Sequence, residues 1–410
     1  MSDEQAKSDW GHRFATRSSR MQASEIRELL KLLDQPDIIS FAGGIPDPRL
    51  FAEADIQEAY KYVLTENADA ALQYSTSEGY EPLRKWIANY MADIGVPCSP
   101  DNIMMVSGSQ QALDYIGKLF LSPNDTALVM RPTYLGALQS FNAYEANYDH
   151  IDPLHGNRTP QSFRESAEAA GGRVKFAYLT PDFANPTGET VPHEGRQKLL
   201  ELADELDIPV IEDSAYQGLR YDGDNVLPII AMDIARSGSI EKARTIYCGS
   251  FSKTMAPGLR LGWICGPKDV IRKLVLIKQA SDLHTPTINQ MVMFRVVDRI
   301  FDGQVKKIRV AYHHRRDRML SALDKYMPSS VTWTRPEGGM FIWVTVREGL
   351  DAAELLAKSL ESERVAFVPG KAFFADGTGK NTMRLSYSLA SDEEIDQGIM
   401  RLARLIRSYD

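Results

Sequence analysis

Cysteine is scarce in this chain: Cys98, Cys248 and Cys265 are the only three in 410 residues, an odd and widely spaced set. Such a set builds neither a disulfide framework nor a metal-ligand cluster, and it predicts a reducing compartment, the cytoplasm. Long apolar runs are missing too. No stretch approaches the roughly 18 residues needed to cross a bilayer, and the start, MSDEQAKSDWGHRF, lacks the apolar segment of a secretory signal. Positive charge is not in excess, since 47 Lys and Arg against 55 Asp and Glu give a net charge of -8. That balance provides no global field for nucleic acid, so an anionic ligand must be held by local groups. Repeats and low-complexity tracts are absent, which excludes a solenoid.

What is present is alternation. Short β-rich runs, TALVM (126–130), VKFAYLT (174–180), IPVIED (208–213), RTIYCGS (244–250) and LRLGWICG (259–266), are separated by helical patterns such as QQALDYIGKLFL (110–121) and EGRQKLLELADEL (194–206). This order predicts an α/β fold with a mainly parallel sheet covered on both faces. Ligands of such sheets gather in the loops that leave the carboxyl ends of strands. Three strand ends would deliver Asn185 in PDFANPTG, Asp213 with Tyr216 in EDSAYQG, and Lys253 in SFSKTMAPG to one crevice. From about residue 290 the chain turns to a long basic helical stretch, then to short strands around MFIWVTV (340–346) and NTMRLSYS (381–388), which predicts a smaller α+β domain. The expected division is an arm over 1–48 that packs on the small domain or a partner subunit, a large domain over 49–290 and a small one over 291–410.

The run GSFSKTMAPGLRLGW fits neither a helix nor a strand. A lysine that joins a carbonyl must be partly desolvated and carried on a loop; taken alone, a lysine in a serine-rich loop is more often a solvated turn. Ser250, Ser252 and the guanidinium fork of Arg260 suit an anion. So does VSGSQQALDY, where Ser107, Gly108 and Ser109 precede a helical pattern, although Ser109 reads equally as an ordinary N-cap. Asp213 ends an apolar strand, where a carboxylate needs a partner: a cap, an ion pair or a protonated ring nitrogen. Asn185 is also a turn residue of Asn-Pro-Thr-Gly. Arg384 alternates with Met383 and Leu385 and is either an exposed strand arginine or a bidentate grip for a carboxylate.

From FAGGIPDP through QYSTSEGYEPLR, SGSQQALD, NPTG, EDSAY, SFSKTMAPGLRLGW and EGGMFIW to MRLSYS, the chain resembles the fold-type I, class I/II pyridoxal-phosphate aminotransferases. The resemblance implies a large domain with a mainly parallel seven-stranded sheet, a smaller α+β domain and a homodimer with a shared active site. It implies Lys253 as the Schiff-base lysine, Asp213 as the partner of the pyridine nitrogen, Asn185 and Tyr216 as ligands of the ring oxygen, and Tyr134 as the residue stacked on the ring. Ser109, Gln110, Ser250, Ser252 and Arg260 match the phosphate site, and Tyr74 matches a tyrosine donated to the neighbouring subunit's phosphate. Arg384, with Asn185 and Gly44, matches the α-carboxylate site.

Within that family the chain is similar to the 2-aminoadipate aminotransferase group, which includes kynurenine aminotransferase II-like enzymes, through RMQASEIRELLKLL and KQASDLHTPTINQ (278–290). An arginine matching Arg27 reaches a distal carboxylate in that group; Arg27 also borders the apolar stripe of Ile26, Leu29, Leu30 and Leu33, where a snorkelling arginine needs no ligand. PDFANPTG and EDSAY depart from the PSFQNPTG and EDDAY common there at Asp182, Ala184 and Ser214, which bears on substrate more than on reaction type. The expected activity is transfer of an amino group from an L-amino acid, 2-aminoadipate-like or broad, to 2-oxoglutarate by a ping-pong cycle. Aromatic, branched-chain or kynurenine donors are the alternative. Rivals are elimination, racemisation or decarboxylation on the same cofactor, and the effector domain of a transcription regulator, against which stand only about forty residues before FAGGIPDP.

Overall fold

The computed structural model describes residues 10–21 and 37–409; the helical pattern EIRELLKLL and Arg27 lie outside these residues. After the short strand β1 (Ile39–Ser40), the chain forms β2 (Ile103–Val106), β3 (Thr126–Val129), β4 (Asn147–His150), β5 (Val174–Leu179), β6 (Val210–Asp213), β7 (Thr245–Ser250) and β8 (Gly262–Cys265). The last seven make one sheet in the order β2-β8-β7-β6-β5-β3-β4. Pairings from β4 through β7 are parallel, whereas β8 runs antiparallel to both β7 and β2. The reversal follows from the connection: residues 251–261 contain no crossover helix, and a strand that returns without one must run antiparallel. The loop that carries Lys253 is that connection.

Both faces of the sheet are buried, as the β-branched and apolar runs require. Along β5, Phe176 and Tyr178 enter the core under the helix Ser109–Phe120, while Ala177 and Leu179 enter the core under the helix His193–Leu206. A second sheet combines β9 (Thr332–Trp333), β10 (Phe341–Thr345), β12 (Val368–Pro369) and β13 (Thr382–Ser386) in the order β12-β13-β10-β9, all antiparallel. Between them β11 (Val365–Ala366) pairs in parallel with β1, so the segment just before FAGGIPDP is stitched to the C-terminal part of the chain. The helix Asp392–Arg407 closes this region with Ile395, Ile399, Leu402 and Ile406 on one stripe, and a Ser391/Glu394 capping box starts it.

The change of texture near residue 290 corresponds to a 40-residue helix, Thr287–Tyr326. Its first turns bury Met291, Val292 and Val296 in the core beside β2 and β8, and its later turns bury Ile308, Tyr312, Met319 and Leu323 beneath the second sheet. One rigid element therefore belongs to both cores. Among the described residues no helix is long and apolar enough to cross a membrane.

Candidate functional site

The carboxyl ends of β5, β6 and β7 open on one side of the sheet, and the loops that leave them bound an open pocket. Lys253, Asp213, Tyr216 and Tyr134 line it, together with Ser109, Gln110, Ser250, Ser252 and Arg260. Thr180, Ala215 and Pro257 complete the lining. Asn185, Gly44 and Arg384 adjoin it through the hydrogen bonds described below.

Lys253 projects from the β7–β8 connection, and its Nζ donates to the carbonyl of Gly44 at 2.9 Å. Burial and the Arg384 and Arg260 cations lower its pKa to about 8, against the opposing pull of Asp213. Asp213 ends β6. Its Oδ2 accepts from the hydroxyl of Tyr178 at 2.8 Å, while Oδ1 is buried with no hydrogen-bond partner among the described residues. Burial raises this carboxyl to about 6, even though the Tyr178 hydroxyl, the backbone N–H of Ala215 and the Lys253 cation act to lower it. A buried acceptor left unmatched costs roughly 1–3 kcal/mol, so the site is built for a donor it does not itself contain.

At one end of the pocket three features suited to an anion lie together. The helix Ser109–Phe120 points its N-terminus there, and its first N–H groups have no partner within the helix. Ser250 Oγ accepts from the N–H of Ser252 at 3.1 Å, which fixes the Ser250 hydroxyl against the start of the Lys253 loop. Arg260 donates from Nη2 to the carbonyl of Ser107 and from Nη1 to that of Pro257, both at 3.2 Å. Gly108 is obligatory in this turn: its φ is +87°, and a Cβ would lie 2.2 Å from Arg260 Nη2. Gln110 spends its amide elsewhere, donating to the carbonyl of Gly136 and to Ser140 Oγ at 2.7 Å each, while its Oε1 accepts from Tyr134 at 3.2 Å. It offers the pocket its backbone N–H and steadies Tyr134.

Arg384 lies at the other end and is 2 % exposed. Nη1 donates to Asn185 Oδ1 at 2.8 Å and Nη2 to the carbonyl of Ala42 at 3.0 Å; the guanidinium lies over Phe341 with its centroid 4.3 Å away. Its Nε is buried without a partner, and no carboxylate pairs with it among the described residues. Burial lowers its pKa to about 10, with Tyr216 and Tyr134 opposing. Asn185 also donates from Nδ2 to the Tyr216 hydroxyl at 3.4 Å, and burial pushes that phenol well up.

Two expected residues stand apart. Tyr74 is 78 % exposed, meets the ring of His284 edge-on at 6.0 Å and does not line the pocket of its own chain. Arg27 falls outside the described residues. Tyr178 was not singled out in the sequence, because a tyrosine in an apolar buried strand reads as core; only its register two residues before Thr180 at the strand end hints otherwise.

Comparisons with known proteins place nearly the whole chain in one family. The family model for aminotransferase class I and II matches residues 40–402. The chain is 44 % identical over 405 residues to aromatic-amino-acid aminotransferase 1 of Thermococcus litoralis, covering 97 % of this chain and 95 % of that protein. A kynurenine aminotransferase of Pyrococcus horikoshii superposes with a TM-score of 0.90 at 42 % identity, covering 98 % of each chain. An α-aminoadipate aminotransferase of Thermus thermophilus, complexed with N-(5'-phosphopyridoxyl)-L-leucine, superposes with a TM-score of 0.87 at 38 % identity, covering 97 % of this chain and 98 % of that one.

Proposed function

The chain belongs to the class I and II aminotransferases, pyridoxal-phosphate enzymes that move an amino group between an amino acid and a 2-oxo acid, and on that premise we propose that the pocket between Lys253 and Asp213 is its cofactor site. The observation that carries this reading is Asp213 Oδ1, a buried acceptor without a donor, which a protonated ring nitrogen would satisfy. When bound, pyridoxal phosphate supplies an aldehyde that carries the amino group and a ring that takes up the electrons released at the substrate's α-carbon.

The chain's own residues do the rest. Asp213 holds the proton on the ring nitrogen, and Tyr178 keeps the carboxylate turned toward it. Asn185 and Tyr216 bind the ring oxygen, and Tyr134 covers the ring face. Ser109, Gln110 through its N–H, Ser250, Ser252 and Arg260 hold the phosphate. Lys253 would hold the aldehyde, and its amine is the base that would move the proton at the substrate's α-carbon; a pKa near 8 leaves a useful neutral fraction of that amine near neutral pH. Arg384 grips the α-carboxylate through its free Nε edge, with Gly44 beside it leaving room for the substrate. Because amino acid and 2-oxo acid share that carboxylate, one grip serves both halves of a ping-pong cycle.

The amino donor we assign is an L-amino acid of 2-aminoadipate type or broader, with 2-oxoglutarate as acceptor. Relatives named for aromatic amino acids and kynurenine support the broad reading, and Arg27 is the proposed discriminator of acidic side chains. The proposal includes a cytoplasmic homodimer in which Tyr74, exposed and outside its own pocket, reaches the partner's phosphate. It also includes a two-domain division, with an arm over 1–48 and a boundary near residue 290 that falls within the shared helix. The test is a single-turnover spectrum of the protein with pyridoxal phosphate, mixed in turn with 2-aminoadipate, glutamate, kynurenine, leucine and phenylalanine. Bleaching of the yellow form that reverts on adding 2-oxoglutarate is the expected result, and the fastest donor names the substrate. A yellow form that no amino acid bleaches would overturn it, as would a borohydride-reducible bond between protein and cofactor that survives in Lys253→Ala.

A further inference from the structure

The run KQASDLHTPTINQ places no residue in the pocket lining, yet its side chains bond to the turn that bounds the anion end. Lys278 is fully buried. Its Nζ donates to Asp282 Oδ1, Asp282 Oδ2 and Gln111 Oε1, each at 3.0 Å. Gln111 stands in the first turn of the helix Ser109–Phe120, and its Oε1 also accepts from the N–H of Ser107 at 2.8 Å. Its Nε2 donates to Asp282 Oδ2 at 2.8 Å, and the Tyr115 hydroxyl donates to Asp282 Oδ1 at 3.1 Å. Every group of this amide is therefore engaged, and both lone pairs of Oε1 are used.

Ser107 is bonded from two sides. Its N–H goes to Gln111 and its carbonyl to Arg260 Nη2. The same turn contains Gly108 in its left-handed conformation and leads into the exposed N–H groups of Ser109 and Gln110. Burying an ammonium is costly unless it is fully partnered, and this one is partnered by an arrangement that ends on the cup.

We propose that Gln111, held in place by the Lys278–Asp282 pair, is a positioning residue for the phosphate cup, fixing the turn Ser107–Ser109 so that its N–H groups converge on one anion. The proposal rests on the reading of the pocket as a pyridoxal-phosphate site. A cup effect should fall mainly on the phosphate, because Asp213, Tyr216 and Asn185 at the ring end come from other segments and Tyr134 is tied to this one only through the Gln110 side chain. The experiment is equilibrium binding of pyridoxal phosphate and of pyridoxal, which lacks the phosphate, to wild-type apoprotein and to Gln111→Met.

The variant removes the acceptor of the Ser107 N–H together with one of the three bonds of Lys278 Nζ and one donor to Asp282, while the Lys278–Asp282 pair itself remains. Affinity for pyridoxal phosphate falls about tenfold while that for pyridoxal stays within about twofold. Equal losses for both ligands would mark a general structural role and overturn the proposal, and so would an unchanged affinity for pyridoxal phosphate. Gln111→Asn, one methylene too short to reach Ser107, makes the same cut if the methionine variant does not fold. Wild-type apoprotein that binds neither ligand would overturn the cofactor reading as well, which separates the two failures.

Discussion

Arg196 and Arg384 are both buried, at 0 % and 2 % exposure, and they are satisfied in opposite ways. Arg196 stands in the helix His193–Leu206. It donates from Nε to the carbonyl of Val191 at 2.8 Å, from Nη1 to that of Leu227 at 2.9 Å and from Nη2 to Asp182 Oδ1 at 2.7 Å. Its charge is cancelled inside the protein. Arg384 touches only neutral acceptors and keeps Nε idle. Burial is common to a structural and a functional guanidinium; what separates them is whether the chain supplies the counter-charge or leaves that to a ligand. Asp213 obeys the same rule with the sign reversed.

The difference is open to direct attack. Arg196→Met leaves Asp182 with only the Arg220 guanidinium, 3.6 Å away, so stability falls by about 1–3 kcal/mol in denaturant titration while kcat/KM of the folded fraction is kept. Arg384→Gln gives the converse: kcat/KM falls by about 10²–10³-fold, and the melting temperature of the apoprotein holds or rises because an uncompensated cation has gone. A large stability loss in the second variant, or an activity loss in the first, would break the comparison.

A smaller effect separates Asp213 from an ordinary carboxylate through pH. Its folded pKa, about 6, lies above the unfolded value of about 3.9. Between those values the folded apoprotein binds the extra proton, so stability present at pH 4 is lost as pH rises through 6. Melting temperatures of wild-type and Asp213→Asn apoprotein should coincide near pH 4, separate between pH 4 and 6 and keep a constant difference above pH 6, with the variant the more stable. Coincidence at every pH would mean the carboxyl is not strained. The smallest expected change is that of Tyr74→Phe, which weakens retention of pyridoxal phosphate about fivefold if one hydrogen bond to the partner's phosphate is lost. An unchanged affinity would remove Tyr74 from the site.

How much of this was legible follows from what kind of signal each residue leaves. Residues at strand ends, Asn185, Asp213, Tyr216 and Lys253, could be found because the alternation of strands and helices fixes where loops emerge. The polar alternation of Arg384 in β13 was visible, but its burial was not, since every residue of that strand is covered and the guanidinium is spent on Asn185 and Ala42. Tyr178 left no trace because it packs as a core residue and acts only through its hydroxyl. Gln111 was hidden beside Gln110, which the family resemblance favoured; only the fold brings Lys278 and Asp282 to it. The antiparallel β8 became intelligible once the connection 251–261 proved to hold no helix.

The carbonyls of Ala42 and Gly44, which accept from Arg384 and Lys253, belong to the backbone and not to any side chain. A mutational scan by substitution is blind to such ligands, since every residue type carries the same oxygen. Selection can preserve them only through the spacing of the segment. A one-residue deletion between Gly43 and Pro46 should therefore do more harm than any exchange of Ile45, and sequence drift at that position carries no information about the service the segment performs.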